Sequence, residues 1–488
     1  MNLRSLLRPR YLVAAVAAAL AVSTTGSLLV ACAPTSPVVT PAQLDTARQA
    51  AESVSGRWQP MPRGTPATGR AAELQGHGYI EEEWRLQGQA KTYSSVGTWG
   101  RDGQWTVAPR DAAQPFDTRV LVRRPQDPAR FNGMVVVEWL NTSLGLDLDG
   151  VWMVTRDELM REGYAWVGVS AEAAGTTQLA SAMPERYGHT QIATGDMGFD
   201  IYTLTALQVR MNARMWGPPG RPLSSIKLIG AGYSKSASYL ISYINAFNPL
   251  TQAFDGFYLR GATPAAIQVR DVGLNVIMPR WRSDLKTPLM QVQTEGEVKA
   301  SWVLSDTPDS AMVRYWEIAG AVHFDAHMQQ QAQAVGERWG LRAPQCRHPV
   351  NSLPAYLVDH AALAALRQWV LTGQVPPKAP RLQRSPRGWL TYDDVGNVQG
   401  GIRLPGLSLG LAEYHAGYTN WPTQWPALWN TFSCVAGGAT IATAPSASLA
   451  GQAASASQIE AAAQALVQAG LLKPQDLAEA VRTAHRPQ

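Results

Sequence analysis

The chain has 488 residues, 45% hydrophobic and 16% charged, which excludes a disordered polymer, and 42 Gly with 33 Pro exclude collagen-like or low-complexity sequence. Its formal charge of +5 falls to +2 once residues 1–31 are set aside, because Arg4, Arg8 and Arg10 lie there without an acid and leave 39 basic against 37 acidic side chains. A near-neutral body with no Lys/Arg run argues against a nucleic-acid partner.

Residues 1–31 read as a lipoprotein signal peptide. The basic stretch Met1–Arg10 leads into the apolar run Tyr11–Val22, a polar break, and then Leu29-Val30-Ala31-Cys32. Small residues before a cysteine resemble a bacterial lipobox, in which cleavage leaves Cys32 as a lipid-bearing N-terminus. An ordinary secretory signal or a single anchor helix are the alternatives. The break after Val22 argues against a spanning helix, which needs about 20 largely apolar residues. Residues 32–54 form a Pro/Thr/Ala-rich tether, and no later stretch is long and apolar enough to span. An exported lipoprotein is therefore expected, lipid-anchored to the membrane at the periplasmic face of the outer membrane or at the cell surface. With Cys32 lipidated, Cys346 and Cys434 remain, and an even pair in an oxidising compartment is expected to form a disulfide. Two buried free thiols are the alternative.

From Tyr79 to Val122 the pattern predicts short strands, Tyr79–Trp84, Thr92–Thr98, Trp105–Val107 and Thr118–Val122, separated by Gly- and Asp-rich turns. A buried run Met134–Leu140 follows, then a helix Val151–Glu162, a strand Tyr164–Ser170 and a helix Asp200–Met215. The strand Ile226–Gly230 enters Ala231-Gly232-Tyr233-Ser234-Lys235-Ser236. Further strands are predicted at Phe254–Leu259, Pro288–Gln293 and Val313–Ala319, and a long helix at Leu353–Leu371. Near-continuous apolar strands alternating with helices predict an α/β protein with a mostly parallel central sheet covered on both faces. After Pro376 the pattern loosens into a Trp/Pro/Gly-rich stretch with Trp421, Trp425 and Trp429, and helices Ser457–Gln468 and Pro474–Ala484 close the chain. The 17 Trp against 8 Phe could mark a sugar-binding or interface surface, but bulky core and loop packing is the commoner use.

The informative string is Gly232-Tyr233-Ser234-Lys235-Ser236-Ala237, a G-x-S-x-S nucleophile elbow between a strand and a helix. Small residues flank the serine because the backbone turns sharply there, lifting the hydroxyl above the carboxyl ends of the strands. The helix start aims N–H groups at developing negative charge. A serine hydroxyl needs a base, and the imidazolium an orienting acid, in the chain order Ser, Asp/Glu, His. The strand ending at Gln293 runs into Thr294-Glu295-Gly296-Glu297, and the strand through Ile318 runs into Gly320-Ala321-Val322-His323. The base is therefore His323. The acid is Glu297 or Glu295, with Glu297 preferred because the acid of such sheets usually sits a few residues past the strand end. His323-Phe324-Asp325-Ala326-His327 could be read as a metal string, but no convincing third zinc ligand lies nearby, so neither metal nor cofactor is expected. The oxyanion hole is expected to use the backbone N–H of Lys235 and one from the loop after Leu140, at Asn141 or Thr142. The Lys235 side chain reads as a solvated helix residue.

The chain resembles the bacterial "alpha/beta hydrolase domain" family of exported serine hydrolases. The resemblance is carried by Asn132–Asn141, Gly163–Ser170, Pro184–Gly188, the Ser234 elbow with Tyr243–Ala246, Gln293–Glu295 and Gly396–Pro405. It covers roughly Gly76–Ala484 and implies an α/β-hydrolase fold with N- and C-terminal elaborations. Residues 55–488 would then form one domain, with the Trp-rich elaboration at about 376–456. The family usually has Glu-Ser-Gln-Ser at the elbow, where this sequence has Tyr233 and Lys235 around Ser234, and an Asp where Glu297 stands. The leading expectation is a serine esterase acting on a small-molecule or lipid-like ester through an acyl-serine intermediate. Alternatives are an amidase, or a non-catalytic Trp-rich solute-binding lipoprotein on a hydrolase scaffold.

Overall fold

Strands that are apolar on both faces can only be satisfied with both faces covered, and the centre of the molecule is built that way, its strands buried along nearly their whole length. The computed structural model describes residues 56–485 apart from 213–214, 218–225, 264, 268, 270–278, 301–307, 418–419, 424–427 and 443–453. The expected signal peptide, Cys32 and the expected tether lie outside the described residues.

A nine-stranded sheet forms the core. In chain order its strands are β1 (Arg57–Pro60), β2 (Tyr79–Ala90), β3 (Gln114–Pro125), β4 (Met134–Trp139), β5 (Ala165–Val169), β6 (Lys227–Tyr233), β7 (Gly256–Arg260), β8 (Leu289–Thr294) and β9 (Val313–Ile318). Across the sheet they run β1-β2-β3-β5-β4-β6-β7-β8-β9. The pairs β1/β2, β2/β3 and β3/β5 are antiparallel, and every pair from β5 onward is parallel. This is the α/β-hydrolase fold. The predicted strands near Thr92 and Trp105 survive only as a short separate pair, Tyr93–Ser95 with Val107–Pro109.

Alternate residues of each strand feed two cores. Met134 and Val136 pack with Ile229, Met290, Val292 and Trp316 on one face, beneath helices α1 (Gly150–Glu162), α5 (Ala326–Arg338) and α6 (Tyr356–Thr372). Val135 and Val137 pack with Val167, Leu228 and Leu259 on the other, beneath α2 (Gly198–Met211) and α3 (Lys235–Ser242). Most of the tryptophan surplus is spent here: Trp139, Trp152, Trp166, Trp216 and Trp316 are fully buried.

Besides α5, two further elements bear on the site and were not foreseen from the sequence. Glu295–Ala300 forms a short helix, α4, directly after β8. The Trp-rich stretch contains helix α7 (Leu428–Gly437) beside a two-stranded sheet, Ala412–His415 with Ala439–Ala442. The stretch also reaches the main sheet, since Ile402 bridges Ile318 in parallel fashion at the β9 edge.

Candidate active site

Ser234 stands where β6 becomes α3, at φ 58° and ψ −123°, a left-handed conformation that an L-residue rarely adopts. Such strain costs about 1–3 kcal/mol and persists only where the surroundings hold it. Here the Ser234 N–H donates to the Arg260 carbonyl (3.0 Å), and the Ser236 hydroxyl accepts from the Tyr233 N–H (2.9 Å) while donating to the Tyr233 carbonyl (2.8 Å). A Cβ on Gly232 would lie 2.9 Å from the Ala237 nitrogen. The Gly-x-Ser-x-Ser spelling is thus explained atom by atom: glycine for the crossing helix, the second serine as a staple.

His323 follows β9 and reaches back over Ser234. Its Nε2 is 2.9 Å from Ser234 Oγ, and its Nδ1 is 2.5 Å from Glu297 Oε1. The second Glu297 oxygen accepts the Thr294 N–H at 2.7 Å and also the Thr294 hydroxyl. Burial alone would raise the Glu297 carboxyl, but the hydrogen bond and charge of His323, with Arg260 and Thr294 behind them, outweigh it and hold it below the ordinary carboxylate range. Tyr233 fixes the imidazole from below. Its ring stacks on His323 with centroids 5.0 Å apart, and its hydroxyl donates to the His323 carbonyl. Gly150 lies so close to this ring that a Cβ there would meet Tyr233 Cδ1 at 2.4 Å.

Glu295 points elsewhere. Its oxygens accept the Gly320 N–H (3.0 Å) and the Tyr392 hydroxyl (3.2 Å), and burial, only partly offset by Lys299 and these bonds, pushes it up to about 7. His327 is also remote: its Nε2 donates to the Met153 carbonyl (3.0 Å), its ring stacks on Tyr356, and burial lowers it to about 4. Asp325 caps α5 by accepting the Met328 N–H (2.8 Å). The string His323–His327 therefore does not converge on one point.

The expected oxyanion donors divide. Lys235 is the first residue of α3, so its N–H has no intrahelical acceptor. Asn141 is corrected: its N–H is taken by the Leu148 carbonyl at 2.9 Å, in a bridge that closes the loop after β4. Its side chain instead donates to the Tyr233 carbonyl (2.8 Å) and accepts the Ser143 N–H (2.8 Å). That leaves Thr142, whose buried N–H has no acceptor among the described residues.

A narrow apolar slot opens beside Ser234, lined by Leu144, Leu148, Met153, Phe324, Met328 and Phe432, with a volume near 10 Å³. Phe432 comes from α7 and meets the His323 ring edge to face at 6.0 Å. A disulfide, Cys346–Cys434, anchors α7, and the Phe324 N–H donates to the Ala436 carbonyl at 3.0 Å.

The profile of the "alpha/beta hydrolase domain" family matches residues 46–482. The chain belongs to that family. No functionally curated protein matches this hydrolase. Among solved structures it is similar to the serine hydrolase XC6422 from Xanthomonas campestris, described as lacking a lid, with 14% identity over 51% of this chain and 95% of that one at a TM-score of 0.28. Esterase Est22 is 11% identical over 56% of this chain and 81% of its own, at 0.32. A serine hydrolase homologue from Coxiella burnetii is 14% identical over 51% and 96%, at 0.29. Similarities of this size carry no argument about chemistry.

Sequence reasoning did not assign roles in this hydrolase to Tyr233, Thr294, Arg260 or Phe432. Tyr233 was visible as a departure at the elbow, and Arg260 as a charge ending an apolar strand. Nothing in the Trp-rich stretch singles out Phe432. The anchoring of α7 leads to a prediction. Replacing both Cys346 and Cys434 with serine should lower thermal stability, by at most about 4–5 kcal/mol from the chain entropy of a loop closed across a separation of 88 residues. It should also blur selectivity for the group held in the slot more than it lowers turnover of a small substrate, because Phe432 loses its support. Melting curves and the ratio of kcat/KM for small and bulky substrates test both parts. Peptide mapping without reduction should return the two cysteines linked, and two free thiols would refute the assignment.

Proposed function

We propose that this chain is a carboxylic ester hydrolase working through an acyl-Ser234 intermediate. The observation that carries the proposal is the hydrogen-bonded chain Ser234–His323–Glu297 on a strained elbow. Ser234 Oγ attacks the ester carbonyl as His323 Nε2 takes its proton, and Glu297 stabilises the imidazolium through Nδ1–H. The carbonyl oxygen, now anionic, accepts from the Lys235 and Thr142 N–H groups. Collapse expels the alcohol, which receives the proton from Nε2. Water then attacks the acyl carbon by the same route in reverse and frees the acid and Ser234.

The slot suggests the size of the acyl group. Its narrow apolar lining beside Ser234, closed by Phe324 and Phe432, favours an ester of a short acyl chain, acetyl or propionyl. In a series of p-nitrophenyl esters, kcat/KM should peak at two or three carbons and fall at least about tenfold by eight, since a chain with no apolar pocket forfeits about 1–3 kcal/mol of transition-state binding. A flat or rising series would overturn the short-acyl assignment. The matching acetanilide serves as the amide control, and comparable turnover of it would move the activity to an amidase. Export as a lipoprotein through Cys32 is proposed on the sequence pattern alone, and metabolic labelling with a fatty-acid probe in wild type and Cys32→Ser tests it.

A further inference from the structure

Lys235 is not the solvated helix residue that its sequence context suggests. Its ammonium lies 2.5 Å from Glu172 Oε2, donates to Thr142 Oγ1 at 3.0 Å and sits 5.8 Å from the centre of the Tyr239 ring. The Glu172 side chain is 4% exposed against 33% for Lys235. Glu172 follows β5 and stands at the N-cap of the helix Ala173–Ala182, yet its carboxylate makes no capping bond there. Its Oε2 is engaged by the lysine instead, with the Tyr239 hydroxyl beside it.

The loop that carries Thr142 is anchored firmly on its far side. Asp147, in the same loop, accepts from the buried Arg119 guanidinium at 2.7 Å and from the Ser170 hydroxyl. Gly175 packs against that loop so closely that a Cβ would reach Asp147 Oδ1 at 2.1 Å and Thr142 Cγ2 at 3.1 Å. On the near side, toward Ser234, the Thr142 hydroxyl is gripped by Lys235. Thus one residue supplies a proposed oxyanion donor through its backbone and holds the residue that supplies the other through its side chain.

We infer that the Lys235–Glu172 ion pair is a positioning device that fixes the spacing of the oxyanion hole by latching Thr142 to the start of α3. The inference rests on the proposal that the Lys235 and Thr142 N–H groups receive the oxyanion. Glu172 neutralises the ammonium, so the pair contributes geometry rather than a net field at the reacting oxygen. Preorganisation of this kind acts on the step that develops charge and not on binding of the neutral ester.

The test compares Lys235→Met, which keeps length but loses the donor, with Lys235→Arg, which keeps a cation for Glu172, and Thr142→Val, which removes only the gripped hydroxyl. With p-nitrophenyl acetate, Lys235→Met and Thr142→Val should each lower kcat about 10–100-fold with KM changed less than about threefold, somewhat less than the loss of a whole oxyanion donor. Lys235→Arg should stay within about fivefold of wild type. The rate of covalent labelling of Ser234 by a fluorophosphonate should fall in parallel, because that reaction also places charge on an oxygen in the hole. If kcat of Lys235→Met or Thr142→Val stays within threefold, or if only KM rises, the latch is refuted and Lys235 is a surface or substrate-contacting residue. Ser234→Ala run alongside separates the two levels: an active Ser234→Ala overturns the acyl-serine reading itself, whereas an inactive one with a normal Lys235→Met overturns the latch alone. Should Lys235→Met fail to fold, Thr142→Val decides the same question.

Discussion

Ser234→Ala and His323→Ala should each remove nearly all esterase turnover, on the order of 10³-fold or more, because the members of such a hydrogen-bonded set act as a unit and the loss of one disables the others. What remains should be the small acceleration that binding and the oxyanion donors provide without a nucleophile. Neither variant should unfold the protein. Ser234 contributes only its hydroxyl to the site, alanine meets the same backbone strain at φ 58° as serine, and the elbow is held by Ser236, Asn141 and the Arg260 carbonyl. His323→Ala loses the hydrogen bond to Glu297 but leaves the carbonyl that receives Tyr233 in place. The measurements are kcat/KM on p-nitrophenyl acetate, melting temperature, and fluorophosphonate labelling followed by peptide mapping. Ser234→Ala retaining activity within about threefold of wild type would end the acyl-serine proposal.

How much of this was written in the sequence depends on burial. Strands β4 to β9 read correctly because they are short runs dominated by apolar residues between turn signals, and their order along the chain brought Ser234, Glu297 and His323 to the carboxyl edge of one sheet. The antiparallel strands β2 and β3 were undersized: each runs from Tyr79 to Ala90 or Gln114 to Pro125, and their polar positions are satisfied by pairs such as Arg123–Glu81 and Arg124–Glu82 that no local pattern announces. Helix α5 escaped notice because Ala326–Arg338 is dominated by Gln and Ala, so its apolar stripe is reduced to Met328, Ala332 and Val335. Helix α7 was hidden in Trp- and Pro-rich sequence. At the site, residue types were legible but hydrogen-bond allocation was not. Asn141 and Thr142 are equal candidates on paper, and only the Asn141–Leu148 bridge separates them.

The same distinction between identity and allocation decides the acid, and it yields the second large effect. Glu297→Gln should cost on the order of 10³–10⁴-fold in kcat, because an amide cannot stabilise the imidazolium and can present its NH₂ to Nδ1, favouring the wrong tautomer. Glu295→Gln should stay within about threefold at pH 7, since Glu295 touches Gly320 and Tyr392 rather than the imidazole. The reverse ranking would transfer the role to Glu295 and leave the rest of the mechanism standing. Glu295 should show itself in stability instead. Burial raises its folded pKa from the ordinary 4.5 to about 7, so the folded state binds that proton more tightly than the unfolded chain does. Its contribution is therefore fully present below pH 4.5, declines as pH rises toward 7, and is lost above it. Subtracting the melting temperature of Glu295→Gln from that of wild type at each pH between 5 and 8 isolates the effect, and the difference should fall with rising pH and then level off. A difference that rises with pH would mean that Glu295 is held ionised, as Glu297 is, and would reopen the choice between the two carboxylates.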